Sequence, residues 1–540
     1  MTASATYAHI EFNPEFRQAL HLMEETRTNV FVTGRAGTGK STLLRYFRDT
    51  TEKDLVILAP TGVAAVNIGG QTIHSFFGFG PDITPEKARQ LTPTRQKAAL
   101  YARLAAIVID EVSMVRADLL DGIDAFLRQH GPTTGTPFGG VQTIFIGDLY
   151  QLPPVVTQHE RPVFEGLYDG PYVFNARSFP ALDVQLVELR TVYRQQDDPD
   201  FLEILNAIRN RTATDGHLAS LNQRYQPDVE PPEGEPFVHL TTTNAGARAV
   251  NDARLASLDG RRHTFEGQLT GAFTERSLPA PLTLELKTGA QVMLVNNDSS
   301  GRWINGTLGT VTDIAKDTDG VGTADGDWRV AVELEDGNLV RVDPHTWEMY
   351  EYAVDPDTGR IEAEPVGSFT QFPLILAWAI TIHKSQGKTF DRAIVDFERG
   401  TFAHGQAYVA LSRCTRLEGL VLKQPVKPGH IRLDRRVVRF MTGHQYARSE
   451  RAMPLDDKLA RLREASERGE DVEIVYLKAS DERSRRRLTI REVGEMAYQG
   501  RTFPGVRAYC HERQAERVFR VDRILEIDPM SAGEDHPSST

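Results

Sequence analysis

The stretch GRAGTGKST, residues 34–42, decides how this chain is read. Glycines at 34, 37 and 39 let backbone N–H groups turn inward, Lys40 adds a point charge, and Ser41 and Thr42 each bring a hydroxyl. NVFVTG before it is a β-branched run, and KSTLLRYF after it repeats apolar residues at helical spacing. Strand, glycine-rich loop and helix form the setting in which a helix N-terminus receives phosphate oxygens. Gly34, Gly37, Thr38, Gly39, Lys40, Ser41 and Thr42 are therefore expected to cradle the phosphates of a nucleotide, with the Ser41 hydroxyl on Mg²⁺.

Such loops serve many tasks, so the neighbouring segments must narrow the reading. LAAIVIDEVSMV, 104–115, is a buried strand ending in Asp110 and Glu111. Adjacent residues leaving a strand point apart, so Asp110 is assigned to the Mg²⁺ shell and Glu111 to the attacking water. VQTIFIGD, ending at Asp148, and DLVILAPTG, from 54, are further strands with polar residues at their carboxyl ends, where open α/β sheets bind ligands.

The bulk of the chain sets limits. With 62 Lys plus Arg against 74 Asp plus Glu, the 540 residues carry a net charge of −12, so any nucleic-acid site must be a local basic groove. Two cysteines, Cys414 and Cys510, are too few for a disulfide framework or a thiolate cluster. The longest apolar run, FPLILAWAI at 372–380, is far short of the roughly 20 residues that span a bilayer. The expectation is a soluble, cytoplasmic protein with no membrane partner.

Seven segments in order carry a resemblance. GRAGTGKST, APTGVAAVNIGGQTIHSF (59–76), DEVSM (110–114), GDLYQLPPV (147–155), TVYRQ (191–195), AWAITIHKSQGKTFDRAIVDF (377–397) and GQAYVALSRCTRLEGL (405–420) resemble the motifs of superfamily 1 helicases, closest to the Pif family and its RecD-like relatives, over roughly 10–425. The resemblance implies an ATP-dependent DNA helicase moving 5′ to 3′ on single-stranded DNA. Its partners would be single strands and tailed or forked duplexes, with G-quadruplexes as a further structured substrate, and the motor would be monomeric and nucleoid-associated. Alternatives are a RecD-like subunit active only in a nuclease complex and a nucleotide-switched DNA-binding ATPase that never unwinds.

Residue roles follow from the same resemblance. Gln18 would read adenine, Gln151 would sense the γ-phosphate, Gly387 would border the nucleotide, and Arg194 and Arg413 would stabilise the charge of the transferring phosphoryl group. Thr61, His74, Thr381, His383 and Lys384 would contact DNA phosphates. Phe76 and Phe77 would offer bases a stacking surface.

The implied fold class is α/β. Two RecA-like P-loop motor domains occupy 1–185, with a wedge subdomain near 76–100, and 186–295 plus 367–431. A small SH3-like β-barrel at 296–366 is inserted, a helical connector spans 432–470, and a β-rich domain at 471–530 precedes a disordered tail, 531–540. IVYLKA and RAYCHERQAERVFRVDRI resemble the ends of a WYL domain, although the literal Trp-Tyr-Leu is absent. Arg507, Arg517, Arg520 and Arg523 are its candidate anion-binding patch.

Overall fold

The computed structural model describes residues 12–158, 160–229, 237–316, 328–355, 357–397, 400–478, 483–498 and 501–529; the expected tail at 531–540 lies outside them. The chain divides into two compact units, one built from the residues up to Arg209 and Ala213–Arg432, the other from Leu433 onward with Asn210–Thr212.

The first unit begins with a six-stranded parallel sheet: β1 (Val30–Gly34), β2 (Leu55–Ala59), β3 (Gln71–Thr72), β4 (Ala106–Ile109), β5 (Gln142–Ile146) and β6 (Gln185–Leu189), in the order β3-β2-β4-β5-β1-β6. β1, β4 and β5 are buried throughout, in keeping with the mainly apolar runs of strands covered on both faces. Phe16, Leu43, Leu44 and Phe47 from the flanking helices close over Val30, Val32, Val108 and Ile144. Because β6 pairs with β1 through Val30↔Gln185 to Gly34↔Leu189, this lobe runs past the expected limit at 185.

A second parallel sheet has the order Ala379–Thr381, Val238–Thr241, Ala393–Val395, Leu420–Leu422, again with its polar residues at the carboxyl ends. Between its halves stands a five-stranded antiparallel sheet ordered Leu339–Val342, Trp328–Leu334, Leu308–Lys316, Gln291–Leu294, Leu374–Leu376. It draws strands from both sides of the expected 296–366, because Gln291–Leu294 and Leu374–Leu376 pair with each other and complete it.

A long hairpin, His345–Val354 with Ile361–Gln371, leaves this insert and braces the first lobe. There the backbone N–H of Ile57 donates to Tyr352 Oη at 3.0 Å, Lys97 pairs with Glu351 at 3.0 Å, and the N–H of Ile361 donates to Asp54 at 3.0 Å. Nothing in the alternating pattern of these strands announced that contact.

Phe76 and Phe77 do not form a stacking surface. They are 3% exposed and enclosed with Phe79, Tyr101 and Phe126, ring centroids 4.8–6.0 Å apart. The wedge region becomes the short helices Pro85–Gln90 and Arg95–Tyr101, capped by Thr84 and Thr94, the second of which brings Tyr101 to this cluster.

In the second unit, helices Arg435–Ala452 and Leu455–Arg468 precede an antiparallel sheet ordered Ala515–Arg520, Arg501–Cys510, Arg483–Tyr498, Asp471–Leu477, Ile524–Pro529. Leu462 and Ala465 of the second helix share a core with Val472, Ile474, Val506 and Ile527, so half of the expected connector belongs to the β-rich domain. Lys458, 1% exposed, donates to Ser449 Oγ at 2.8 Å, and that hydroxyl donates to the carbonyl of Leu525 at 2.6 Å.

Arg507 and Arg520 share one face of this sheet, since Arg507 opposes Val518 and Arg520 opposes Gly505. Arg517 opposes the fully buried Ala508 on the other face, at the edge strand. Arg507 is paired with Glu492 at 3.4 Å and Arg520 with Asp522 at 2.6 Å. The four arginines are not one anion patch; only Arg520 and Arg523 meet, around a cavity of about 420 Å³ that also holds Glu450 and Asp522.

Truncating Phe77 to Ala should cost about 3–5 kcal/mol of stability, typical of an emptied aromatic core site. A melting curve checks it: the Phe77→Ala transition should fall well below wild type, with Phe77→Leu lying between.

Candidate nucleotide and DNA site

The end of β1 turns through residues 35–39 into the helix Lys40–Thr50. Its N-cap, Gly39, is left-handed at φ 86° and makes no side-chain cap, so the helix starts with its N–H groups unclaimed by a capping side chain. Gly37 is needed twice over: its φ is +79°, and a Cβ there would lie 2.5 Å from the Cβ of Arg194. The loop is shaped from within, as Lys40 Nζ donates to the carbonyls of Gly34 and Arg35 at 2.8 and 2.9 Å. From outside, Tyr193 N donates to the Gly37 carbonyl at 2.9 Å and Ala36 N to Tyr408 Oη at 3.0 Å. Burial lowers the Lys40 pKa, against the opposing pull of Asp148 and Glu111.

Helix Pro14–Glu25, which carries Gln18, leans on this loop: the Phe16 ring would lie 3.6 Å from a Cβ on Gly39. Asn13 caps that helix through Phe16 N at 2.8 Å and donates to Tyr193 Oη at 3.2 Å.

Asp110 and Glu111 stand at the end of β4, beside the loop. Burial pushes the Asp110 carboxyl up to about 6 and, with Asp110 adding its charge, the Glu111 carboxyl up to about 7. Glu111 holds a left-handed backbone, φ 48° and ψ 42°, an uncommon state for a residue other than glycine and one that collects at functional sites. Among the described residues no three acidic, histidine or cysteine side chains form a metal cluster. A partly buried carboxylate at the end of β4, with the exposed Ser41 hydroxyl at the start of the helix after the loop, nonetheless suits magnesium, which takes one or two carboxylates alongside phosphate oxygens.

Across the cleft, the second lobe contributes the turn after Ala379–Thr381. Gln386 Nε2 donates to Glu111 Oε2 at 3.3 Å and to Gln151 Oε1 at 3.2 Å, joining both residues to the far lobe. Gly387, left-handed at φ +79°, follows it. Arg413, 1% exposed, donates to the carbonyls of Val409, Ser385 and Lys388 at 2.8, 3.2 and 3.1 Å and to Ser412 Oγ at 3.0 Å. Those bonds occupy four of its five N–H groups. Burial, then the neighbouring Arg194, lowers its pKa to about 9. Arg194 itself reaches the Ser412 carbonyl at 3.2 Å.

Three participants were given no role of their own by the sequence reading. Gln386 lies inside a quoted motif but has no titratable group to draw notice. Asp148 ends β5 and pairs with Arg209 at 3.1 Å, both side chains almost wholly buried. Arg209 also lies 3.8 Å from the centre of the Tyr150 ring, and its helix, Pro199–Arg209, offers no motif to flag it.

The residues expected to face DNA lie at the strand ends. Thr61 is exposed and caps helix Gly62–Ile68 through Ala64 N at 3.3 Å. His74 and His383 are half-buried, which lowers both pKa values, and Lys384 is exposed. Thr381 corrects the expectation: it is 4% exposed and its hydroxyl accepts from Lys384 N at 3.2 Å, so it shapes the turn instead of meeting a phosphate. The exposed ring is Phe402, 59% exposed and stacked on His383 at 6.1 Å and 14°.

Residues 13–215 match the model of the PIF1-like helicase, and 457–529 that of the WYL domain. The ATP-dependent DNA helicase Pif1 of Bdellovibrio bacteriovorus is 34% identical over 442 residues, covering 80% of this chain and 92% of that protein. The crystal structure of Bacteroides sp Pif1 in complex with ADP-AlF4 has a TM-score of 0.73 at 36% identity, over 81% of this chain and 97% of that one. Pif1 helicase from Bacteroides in complex with ADP-AlF3 and ssDNA has a TM-score of 0.58 at 37% identity, over 81% and 97%. With a site assembled from both lobes in this way and relatives of this kind along four fifths of its length, the chain belongs to the PIF1-like helicase family.

Proposed function

We propose that this protein is an ATP-dependent DNA helicase that moves 5′ to 3′ on single-stranded DNA and opens tailed or forked duplexes. The observation that carries the reading is Gln386, a second-lobe side chain hydrogen-bonded to Glu111 and Gln151 of the first lobe, on the same turn as His383 and Lys384. One turn thus touches both the hydrolytic carboxylate and the face offered to the strand. The relatives named above, helicases captured with ADP-AlF4 or with ADP-AlF3 and ssDNA, support it.

The triphosphate would enter over the loop, where the N–H groups at the start of Lys40–Thr50 meet its oxygens and the Lys40 ammonium exchanges loop carbonyls for phosphate. Gln18 would meet the adenine. Ser41 and Asp110 would hold Mg²⁺, which when bound neutralises phosphate charge. Glu111 orients and deprotonates the attacking water, and its raised pKa makes it a stronger base than an exposed carboxylate. Arg194 and Arg413 stabilise the charge spread over the transferring phosphoryl group, a task worth about 10³ to 10⁵ in rate for arginines so placed. Both lie at the junction of the lobes, so closure around ATP and opening after hydrolysis would move the Thr61 and His383 faces relative to one another.

Lys40→Ala should lose ATP hydrolysis altogether. Glu111→Gln should keep nucleotide binding, measured by a fluorescent ATP analogue, while turnover falls by about 10² to 10⁴, the usual worth of a general base; near-normal turnover would remove Glu111 from that role. On duplexes bearing a 5′ or a 3′ single-stranded tail, unwinding should require the 5′ tail. A preference for the 3′ tail overturns the polarity, and hydrolysis that ignores DNA points instead to a nucleotide switch. Removing Leu433–Thr540 should leave DNA-stimulated hydrolysis measurable, because the carboxyl-terminal unit has its own core.

A further inference from the structure

The turn that holds Gln386 is also gripped from outside by the inserted sheet. Residues 297–306 form a loop between Gln291–Leu294 and Leu308–Lys316. Asn305 is anchored within it, its backbone N–H donating to Asn297 Oδ1 at 2.8 Å, and its own Oδ1 accepts a hydrogen bond from Lys388 Nζ. The Lys388 stem lies along Gly306, where φ is +108° and an added Cβ would stand 3.3 Å from the Lys388 Cβ. That glycine is what permits the close approach. On its other side Asn305 Nδ2 reaches Asn67 Oδ1 at 3.5 Å, at the end of the helix that Thr61 caps. The loop therefore touches both lobes, at the helix that Thr61 caps and at the turn that carries His383.

The inner end of the chain of contacts is the backbone of the same lysine. The Lys388 carbonyl accepts from Arg413 Nη1 at 3.1 Å, next to the Ser385 carbonyl at 3.2 Å. Arg413 cannot shift without breaking bonds that a buried guanidinium has no water to replace. Its position thus follows that of the 385–388 backbone, and the Lys388 side chain fixes that backbone to the insert.

We propose that Lys388 is a positioning residue that links the 297–306 loop of the insert to Arg413, so that a DNA strand seated against that loop sets the reach of the arginine toward the terminal phosphate. The link rests on the helicase reading above and adds to it the route by which DNA stimulates hydrolysis.

The test uses the full-length protein and steady-state ATPase assays with and without oligo-dT. Asn305→Ala should keep its DNA-free rate within about twofold while the DNA-stimulated kcat falls about five- to tenfold at unchanged KM for ATP, the lower range for coupled sites. Lys388→Met should lose stimulation to the same degree, Lys388→Arg should retain most of it, and the double variant should be no worse than either single one. A loop with only a structural role would lower the melting temperature and both rates together, and that pattern overturns the link. Undiminished stimulation in Asn305→Ala, or additive losses in the double variant, also overturns it. A wild type whose hydrolysis ignores DNA brings down the helicase reading, and the link with it, and so is told apart from a link that fails alone.

Discussion

A guanidinium sealed from water has to find every partner inside the protein, and Arg413 is such a group. Leaving it unpaired would cost several kcal/mol, so the surrounding chain is bent until carbonyls face it. Those carbonyls come from Ser385 and Lys388 in one turn and Val409 in a helix, with the Ser412 hydroxyl beside them. The turn is therefore rigid where it meets the arginine, and the same turn, residues 381–388, carries His383 and Lys384 and presents Gln386 toward Glu111.

That constraint makes the nucleotide cleft a joint property of two sheets. Strand ends deliver the loop, Asp110 and Asp148 from the first sheet and the 381–388 turn from the second, as parallel sheets place their functional residues. The strained Glu111 backbone and the close approach of Gly37 to Arg194 hold the opposing groups within hydrogen-bonding reach. Meanwhile the hairpin with Tyr352 and Glu351 ties the insert to the first lobe, and Lys388 with Asn305 ties it to the second. The insert is in this way connected to both halves of the machine.

The aromatic and arginine assignments show where sequence patterns mislead. Phe76, Phe77 and Phe79 lie in or just after a motif expected to contact DNA, yet rings spaced along a short helix and its exit can as readily face inward, and Tyr101 and Phe126, remote in sequence, enclose them. Phe402, lone and unremarkable in the chain, emerges as the exposed ring beside His383. Arg507 and Arg517 are likewise close in sequence terms across a hairpin, but the register places them on opposite faces. One residue of register is enough to divide a patch.

The sequence by itself determined the local chemistry: the phosphate loop between a strand and a helix, the paired carboxylates ending a buried strand, and the order of the motifs, because each depends on residues within a few positions of one another. Domain limits were not legible where β6 or Gln291–Leu294 joined a sheet by long-range pairing. Only the tertiary structure decided that Gln386 bridges the lobes, that Arg209 lies buried on Asp148, that Thr381 points inward and that Asn305 meets Lys388. These are contacts between residues tens to hundreds of positions apart, and burial and register, which create them, belong to the packed chain and not to any stretch of it.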